Sequence, residues 1–431
     1  MDRRLLLLWL TIFIDLLGFT LFIPVMPYFG ERIGAGDDAI MITALVFSGM
    51  VFLCSPIWGS VSDRYGRRPV ILVSVILSAI SYVVFAYADS LFWLFVSRIL
   101  TGVGSGNIAA AQAYVSDMTE PKDRAKRIGL IVGASFGIAF AFGPAIGGYI
   151  YHHHGGIESV GWFATALCGL NILGVIFALP ESLKVKDTSR PINFKPIAST
   201  FASLKDTRFR DIFIIGFVYV TAFSMMNVSI AFFWKQRYHL DVDQVGIMFA
   251  IVGVLSAISQ GGLVGVFQKL WGEKKMMIRG CVMVGIGLAL IPFVPLGARE
   301  FVPIGANGEP LHQDLDLPFV VLSIVPMILL SVGNACLNPS LVSILSRQAS
   351  PHEQGEVMGQ NMGFGSLGRV LGPGLSSLLY PLSKGAPFWV GGAIMLGTLW
   401  LVFDYLRTNY RPITPVPSTM GGDVHPLHKA D

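Results

Sequence analysis

The sequence is poor in charged residues and cysteine, and it lacks the motifs of two common enzyme classes. Asp, Glu, Lys and Arg make up 13% of the 431 residues, about half the share in a soluble protein. The four cysteines stand without CxxC spacing, which argues against a disulfide framework or a cysteine metal site. Neither an HExxH helix nor a P-loop is present. We therefore expect no enzyme, no cofactor and no ATP hydrolysis by this chain.

Apolar residues, in contrast, form 53% of the chain. They come in blocks of roughly 20 residues, the length that a helix needs to cross the hydrocarbon layer. We predict an all-helical protein of the lipid bilayer that works as a monomer and has no nucleic-acid partner. The blocks predict twelve transmembrane helices, at 5–28, 40–61, 68–88, 91–116, 125–151, 159–180, 210–233, 243–268, 275–296, 318–346, 355–381 and 386–406.

The distribution of Lys and Arg predicts how these spans are oriented. With the N-terminus in the cytoplasm, 24 of the 31 basic residues fall in cytoplasmic segments and five in the opposite loops. Such an excess marks the cytoplasmic side of membrane proteins. We expect a multi-pass protein of a bacterial inner membrane or plasma membrane, with both termini cytoplasmic.

The longest cytoplasmic break divides the spans into two sets of six. We predict an N-terminal six-helix bundle at 1–180, a linker at 181–209, a C-terminal six-helix bundle at 210–406 and a tail at 407–431. The apolar residues of the linker recur at helical spacing. This pattern fits a short amphipathic helix on the membrane surface as well as it fits an unstructured basic linker.

The two sets of spans carry traces of a repeat. Gly59 and Gly66, between spans 2 and 3, are matched at the same spacing by Gly265 and Gly272 between spans 8 and 9. A Gly-Pro pair in span 5 is likewise matched by one in span 11. Two repeats related by an axis along the membrane normal are typical of secondary transporters, which bind substrate near the midplane.

The loop after span 2 combines glycines, an acid and three arginines at the membrane boundary. Its residues are Gly59, Asp63, Arg64, Gly66, Arg67 and Arg68. A positive anchor explains the arginines alone, but not the acid between two glycines. The loop resembles the G-x-x-x-D-R-x-G-R-R signature of the major facilitator superfamily.

Motifs in spans 4 and 5 narrow this resemblance. In span 4, Arg98 precedes three glycines at alternate positions, and Asp117 lies in the sequence Ala-Tyr-Val-Ser-Asp-Met-Thr. The span 5 motif consists of Gly133, Gly137, Gly143, Pro144, Gly147 and Gly148. Together they resemble the twelve-span drug:proton antiporters, and the tetracycline-resistance efflux proteins in particular. The resemblance implies two pseudo-symmetric six-helix bundles that export a lipophilic, drug-like molecule in exchange for protons.

The resemblance also implies gating roles. Asp63 would cap the beginning of span 11 and hold the two halves together in the outward-facing state. Arg64 or Arg67 would form a charge relay with Asp117. The span 5 glycines would permit close helix approach and bending, although ordinary tight packing explains part of the pattern.

Three charged residues lie inside the predicted spans. A charged carboxylate at the depth of Asp15 costs about 2.5–3.5 kcal/mol, so the neutral form is favoured and the group can carry a proton. The alternative is a static contact with Arg98 or with the helix break at Pro24. Arg98 keeps its charge and would modulate a nearby acid or water chain. Arg369 in span 11 either pairs with Asp15 or attracts an anionic substrate group.

Polar side chains inside the spans are candidates for a substrate cavity, with Met and aromatic residues as an adaptable surface for lipophilic ligands. The candidates are Asn107, Gln112, Phe223, Met226, Asn227, Asn334, Asn338, Gln360, Asn361 and Arg369. A cavity dominated by Asn and Gln would instead favour a symporter or uniporter for a polar metabolite. A receptor with a transporter fold would tolerate the loss of Asp15.

Two further features of the sequence restrict which ligands we expect the protein to bind. The run His152–His154 is compatible with a weak metal site but fits a solvated loop better, so no metal is expected. Ser81 and Val284 stand where tetracycline exporters carry membrane acids. We therefore expect a small-molecule substrate other than tetracycline, exchanged for protons.

Overall fold

The structure, a computed structural model, is helical with short turns in the residues that it describes. These residues are 3–120, 127, 131–132, 134–183, 201, 203–295, 317–349 and 354–408. The predicted linker helix, Gly133 of the span 5 motif and nearly all of the tail lie outside them.

In the N-terminal half, taken as the described residues up to 183, two predicted spans are interrupted. Span 1 breaks at residues 21–25, where Pro24 lacks the N–H group that a continuous helix requires. Span 4 breaks at Ser105, which is flanked by two glycines that form helix poorly. The helices are α1 (Arg3–Thr20), α2 (Met26–Arg32), α3 (Asp37–Tyr65), α4 (Arg67–Ala86), α5 (Leu91–Gly104), α6 (Gly106–Asp117), α7 (Ala134–His153) and α8 (Ile157–Ala178).

In the C-terminal half, taken as the described residues from 203 onward, predicted spans 8 and 9 join through one helix with a kink. Gly272 adopts φ 66° inside this helix, a left-handed conformation that favours glycine. A π-helical turn at Ser259–Leu263 precedes the helix. The helices are α9 (Thr207–Tyr238), α10 (Val242–Ile258), α11 (Val264–Leu290), α12 (Leu317–Gln348), α13 (Gln354–Leu379) and α14 (Ala386–Thr408).

Nine helical stretches within the described residues are long and apolar enough to cross a membrane. The stretch Val242–Phe293 counts once although it contains the kink at Gly272. Two long helices, α1 and α13, are not among these nine stretches. α1 carries three charged residues, Arg3, Arg4 and Asp15, and α13 is rich in glycine and polar residues.

Most of the packing between the halves comes from two helix pairs, α7 against α10 and α3 against α13, and α9 also contacts α2 and α3. Glycine permits this close approach. A Cβ atom at Gly148 would lie 2.5 Å from the carbonyl oxygen of Val242, and one at Gly253 would lie 2.4 Å from the Cα of Ala141. The α7–α10 contact therefore brings backbone against backbone.

Candidate functional site

Polar contacts join the two halves at one end of the helices, which we call the closed end (residues 27–37 and 235–243). Lys235 Nζ donates to the carbonyl oxygen of Pro27 at 3.1 Å and forms an ion pair with Glu31. Only 18% of the Lys235 side chain is exposed, against 72% for Glu31. The lysine is thus held inside the junction while its acidic partner remains at the surface.

Tyrosine and amide groups add to the closed end. The Tyr28 hydroxyl donates to the carbonyl oxygen of Leu240, and the Lys235 ammonium lies 4.6 Å from the centre of the Tyr28 ring. Gln236 donates to Asp37 across the junction. These residues belong to no sequence motif and pair over about half the chain, so they could not be identified from the sequence.

The histidine run lies beside the closed end. His152 Nδ1 is 3.6 Å from an Asp243 carboxylate oxygen of the other half. The rings of His153 and His154 lie against Tyr149, at 4.6 and 5.6 Å between ring centres. Among the described residues, no group of three or more His, Cys, Asp or Glu side chains is placed to hold a metal ion.

The other end carries the loop motif, and we call it the motif end (residues 59–69 with Asp117 and Glu181). Arg67 is 6% exposed and forms ion pairs with Asp117 at 3.1 Å and with Asp63. Its Nη1 also donates to Ser62 Oγ at 2.7 Å. A buried guanidinium thus draws the end of α3 and the end of α6 together.

The predicted charge relay left open whether Arg64 or Arg67 pairs with Asp117. Arg67 makes this contact, whereas Arg64 lies over the ring of Tyr65 at 5.7 Å. Asp63 pairs with Arg67 within its own half. Its predicted contact with the beginning of α13 involves residues that are only partly described, and it stays a prediction.

Glu181 is a motif-end residue that belongs to no sequence motif. Its carboxylate accepts hydrogen bonds from the backbone N–H groups of Arg67 at 2.9 Å and Arg68 at 3.1 Å. These are the first amides of α4, which lack partners within the helix and favour an anion. A Cβ at Gly66, where φ is 117°, would lie 2.5 Å from this carboxylate. Glycine is therefore required at this position for both its conformation and its size.

Asp15 and Arg98 lie close to one buried tyrosine in the N-terminal half. Tyr82 is 2% exposed and interacts electrostatically with both side chains. The Arg98 guanidinium lies 5.5 Å from the centre of the Phe22 ring and 5.0 Å from that of Phe85. Its Nε has no hydrogen-bond partner among the described residues. Aromatic faces thus hold this buried cation next to Tyr82, a residue that belongs to no sequence motif.

The span 5 glycines divide into two contact groups. Cβ atoms at Gly143 and Gly147 would lie 1.9 Å from Thr20 Oγ1 and 2.0 Å from the Leu21 carbonyl oxygen, at the break in span 1. Gly148 faces the other half instead. At Gly137 a Cβ would have no atom of the described residues within 4 Å. Close packing therefore requires the later glycines of the motif but not Gly137.

Arg369 lies on an accessible face in the middle of α13. Its guanidinium donates to Ser366 Oγ at 2.9 Å. The exposed side chains of Leu371 and Leu378 lie roughly opposite it at 3.6 residues per turn, and α3 and α9 pack against α13. This arrangement turns Arg369 away from the outer apolar face of α13 and towards the interior.

The other predicted cavity residues differ in burial and in the contacts that they make. The Tyr219 hydroxyl donates to Asn334, and the Tyr219 and Phe223 rings lie 6.0 Å apart. Asn361 lies beside Gly216 of α9, whereas Asn338 is exposed. Of the remaining candidates, Met226 is buried, Gln112, Asn227 and Gln360 are half-buried, and the side chain of Asn107 lies outside the described part.

The chain has relatives along nearly its whole length. The family model of the Major Facilitator Superfamily matches residues 8–308 and 212–426. The class C tetracycline resistance protein of Escherichia coli is 30% identical over 399 residues, which cover 91% of this chain and 93% of that protein. Multidrug resistance protein 2 of Bacillus subtilis (strain 168) is 28% identical over 395 residues, with 90% and 92% covered.

A solved structure supports the same relationship. The crystal structure of the human organic anion transporter MFSD10 (TETRAN) matches with a TM-score of 0.68 and 25% identity, over 93% of this chain and 99% of that chain. The resemblance predicted from the motifs is confirmed. The chain belongs to the Major Facilitator Superfamily, and it is a membrane transporter and not an enzyme.

Proposed function

We propose that this transporter is a proton-coupled antiporter that exports a lipophilic, drug-like molecule by alternating access between two six-helix bundles. Twelve spans follow if α1 and α13 are added to the nine apolar stretches and Val242–Phe293 is divided at Gly272. The basic residues then put the motif end in the cytoplasm. The closed end faces outward, and the molecule adopts an inward-facing state.

The observation that carries the coupling proposal is the placement of Asp15 and Arg98 around Tyr82. A carboxyl group removed from water favours its neutral form, and a nearby cation favours its charged form. Arg98 keeps its charge throughout. Access of water from one side or the other then decides whether Asp15 holds a proton. Relatives that are named as tetracycline and multidrug resistance proteins support a drug-like substrate.

The test is proton release in liposomes that contain the purified protein and a trapped pH dye. Panels of lipophilic cations, neutral drugs and polar metabolites are added under an imposed proton gradient. We expect one class to drive proton release, and Asp15→Asn to abolish this release while insertion remains normal. Asp89→Asn, which changes an exposed loop carboxylate, is the matched control. Unchanged pH-driven flux in Asp15→Asn would contradict the coupling role.

A second candidate is a symporter or uniporter for a polar, anionic metabolite. Arg369 favours it, because a cation inside a span marks a substrate or ion pathway and no carboxylate pairs with it among the described residues. One relative, MFSD10, is an organic anion transporter. Substrate flux without proton release would favour this candidate over drug antiport. The Arg369→Gln variant should then lose the flux of anions but keep the flux of neutral compounds.

A further inference from the structure

One arginine of the C-terminal half lies on the outer face of a membrane helix. Arg279 is exposed and lies seven residues beyond the kink at Gly272, about 10 Å along α11. At 3.6 residues per turn it shares a face with Ile286 and Leu290, which are 41% and 37% exposed. The buried face of the same helix packs against α12 and α14. Because the exposed face is otherwise apolar, Arg279 belongs to a row of residues that faces lipid.

The repeat shows that a base is unusual at this place. Gly66 and Gly272 both have positive φ at equivalent turns, and Val73 and Arg279 lie seven residues beyond them. Val73 is 44% exposed, so the N-terminal half has an apolar residue at the same outward place. A base that faces lipid is costly unless it reaches the membrane boundary or pairs with an anion. Arg279 therefore requires an explanation that its counterpart does not.

The Arg279 guanidinium lies over an aromatic pair at the kink. It is 4.4 Å from the centre of the Trp271 ring. Trp271 in turn stacks on Phe267, with 4.6 Å between the ring centres and 10° between the planes. Long side chains of a helix lean towards its N-terminal end, which for this part of α11 is the end at the kink. The charge is thus held near the boundary, where tryptophan rings and lipid headgroups lie.

This charge has no anionic partner in the part of the chain that the structure describes. Glu273, the one acid between Phe267 and Gly280, is 8% exposed and already pairs with Arg347. Three further bases of the same segment are exposed, and these are Lys269, Lys274 and Lys275. An anion from outside the protein would therefore meet an excess of positive charge. It would also meet the paired N–H donors of a guanidinium, which match phosphate oxygens.

We propose that Arg279 and Trp271 form a binding site for the headgroup phosphate of an anionic phospholipid in the cytoplasmic leaflet. The guanidinium donates to the phosphate oxygens, and the neighbouring lysines favour a headgroup with net negative charge. The acyl chains lie along the exposed Ile286 and Leu290, which a free phosphate ion would leave uncovered. The site goes beyond the transport function. It takes from that proposal only the orientation of the chain, and neither the substrate nor the proton coupling.

Lipid retention tests the site directly. The purified chain is mixed in detergent with equal amounts of phosphatidylglycerol and phosphatidylcholine of the same chain length, and bound lipids are counted by native mass spectrometry. We expect the wild type to retain phosphatidylglycerol in preference. Arg279→Val, which introduces the residue of the other half, should weaken this binding about fivefold, the contribution of one base near a lipid phosphate. Arg279→Lys keeps the charge without the paired donors and should give an intermediate value.

Arg407→Val is the matched control, since Arg407 is an exposed arginine in the last turn of α14. It removes the same charge by the same substitution, and we expect the preference of the wild type. An equal loss in Arg407→Val and Arg279→Val would overturn the site, because binding would then follow total charge alone. A wild type without preference, or an unchanged preference in Arg279→Val, would overturn it as well.

Thermal stability separates lipid binding from a packing role of the Arg279–Trp271 contact. A ligand that binds only the folded state raises the Tm. We expect phosphatidylglycerol to raise the Tm of the wild type above its value in phosphatidylcholine, and Arg279→Val to lose this difference. A Tm lowered equally in both lipids would assign the contact to packing and overturn the proposal.

Inorganic phosphate added in phosphatidylcholine distinguishes the lipid from a free ion. We expect no rise in the Tm, and a rise equal to that from phosphatidylglycerol would assign the site to a soluble anion and overturn the lipid. Neither retention nor Tm is measured with a substrate or a proton gradient. A failure of the antiport proposal is therefore distinguishable from a failure of the lipid site.

Discussion

The closed end and the motif end are built in different ways. At the closed end, Lys235 and Tyr28 contact the opposite half of the chain. At the motif end, Arg67, Asp117 and Glu181 contact residues of their own half. Under the proposed alternating access, the contacts of the closed end must break during transport, whereas those of the motif end can survive it.

This difference separates two kinds of residue. Loss of a contact between the halves changes the balance of transport states, whereas loss of a contact within one half changes the stability of that half. A ligand or mutation shifts a conformational equilibrium only by its differential effect on the two states. Variants at the two ends should therefore respond differently in transport and in thermal stability.

The largest effect is expected from Gly148→Ala. The new methyl group would lie 2.5 Å from the Val242 carbonyl oxygen and 3.0 Å from the Asp243 Cα. Both atoms belong to the backbone of the other half and cannot move aside alone. Overpacking costs about 1–3 kcal/mol, so this state should lose roughly tenfold or more in population. A slower transport rate in liposomes, and faster labelling of a cysteine at the closed end, should report this loss of population.

Gly137→Ala is the matched control on the same helix. Its methyl group would meet no atom of the described residues, so helix propensity alone should make it neutral or slightly stabilising. Equal transport rates for Gly148→Ala and wild type would show that the closed end does not depend on this backbone contact. An equal loss of transport rate in both variants would point to a general effect of substitution on α7.

The sequence predicted those contacts that a short motif encodes. The resemblance to the major facilitator superfamily implied a relay of Arg64 or Arg67 with Asp117, and Arg67 makes this contact. The break at Pro24 also had a visible cause, since proline lacks the N–H group that the helix needs. Such features depend on local spacing, which a single sequence contains.

The closed end could not be predicted in this way. Lys235 and Glu31 are ordinary surface residue types, and their meeting depends on how the halves lie against each other in one state. Tyr82 is an unremarkable aromatic residue of a span until folding brings it to Asp15 and Arg98. Arg279 did have a signal in the repeat, where it corresponds to Val73, but only the structure shows that both positions face outward.

A smaller effect is expected from Lys235→Met, which keeps the apolar stem but removes the ammonium. The variant loses the hydrogen bond to Pro27 and the ion pair with Glu31. For a partly exposed group, these two contacts together stabilise the closed end by about 1 kcal/mol. The closed end should then open about fivefold more often. A membrane-impermeant maleimide should label Leu240→Cys, at a position that is 2% exposed, correspondingly faster.

Arg237→Met controls for the loss of a positive charge on the same turn of α9, since Arg237 is exposed. Its labelling rate should equal that of the chain with Leu240→Cys alone. If Lys235→Met also leaves the rate unchanged, the ammonium does not hold the halves together. Thermal stability should change little in either variant, because the contact lies between the halves.

The smallest effect is expected from Asp206→Ala, at the beginning of α9. Asp206 accepts hydrogen bonds from the side chain of Arg208 and from its backbone N–H at 2.9 Å, and these bonds hold its pKa below the usual value. Its stabilisation is present above about pH 4, the ordinary range of an unfolded aspartate, and is lost as pH falls below it. We expect the substitution to lower the free energy of unfolding by less than about 1 kcal/mol at neutral pH, because the pair is largely exposed.

The Tm of the detergent-solubilised Asp206→Ala variant should differ from that of the wild type at pH 7 and converge with it in acid. Transport should be unaffected, since this contact lies within one half, and a changed transport rate at full stability would break the distinction between the two ends.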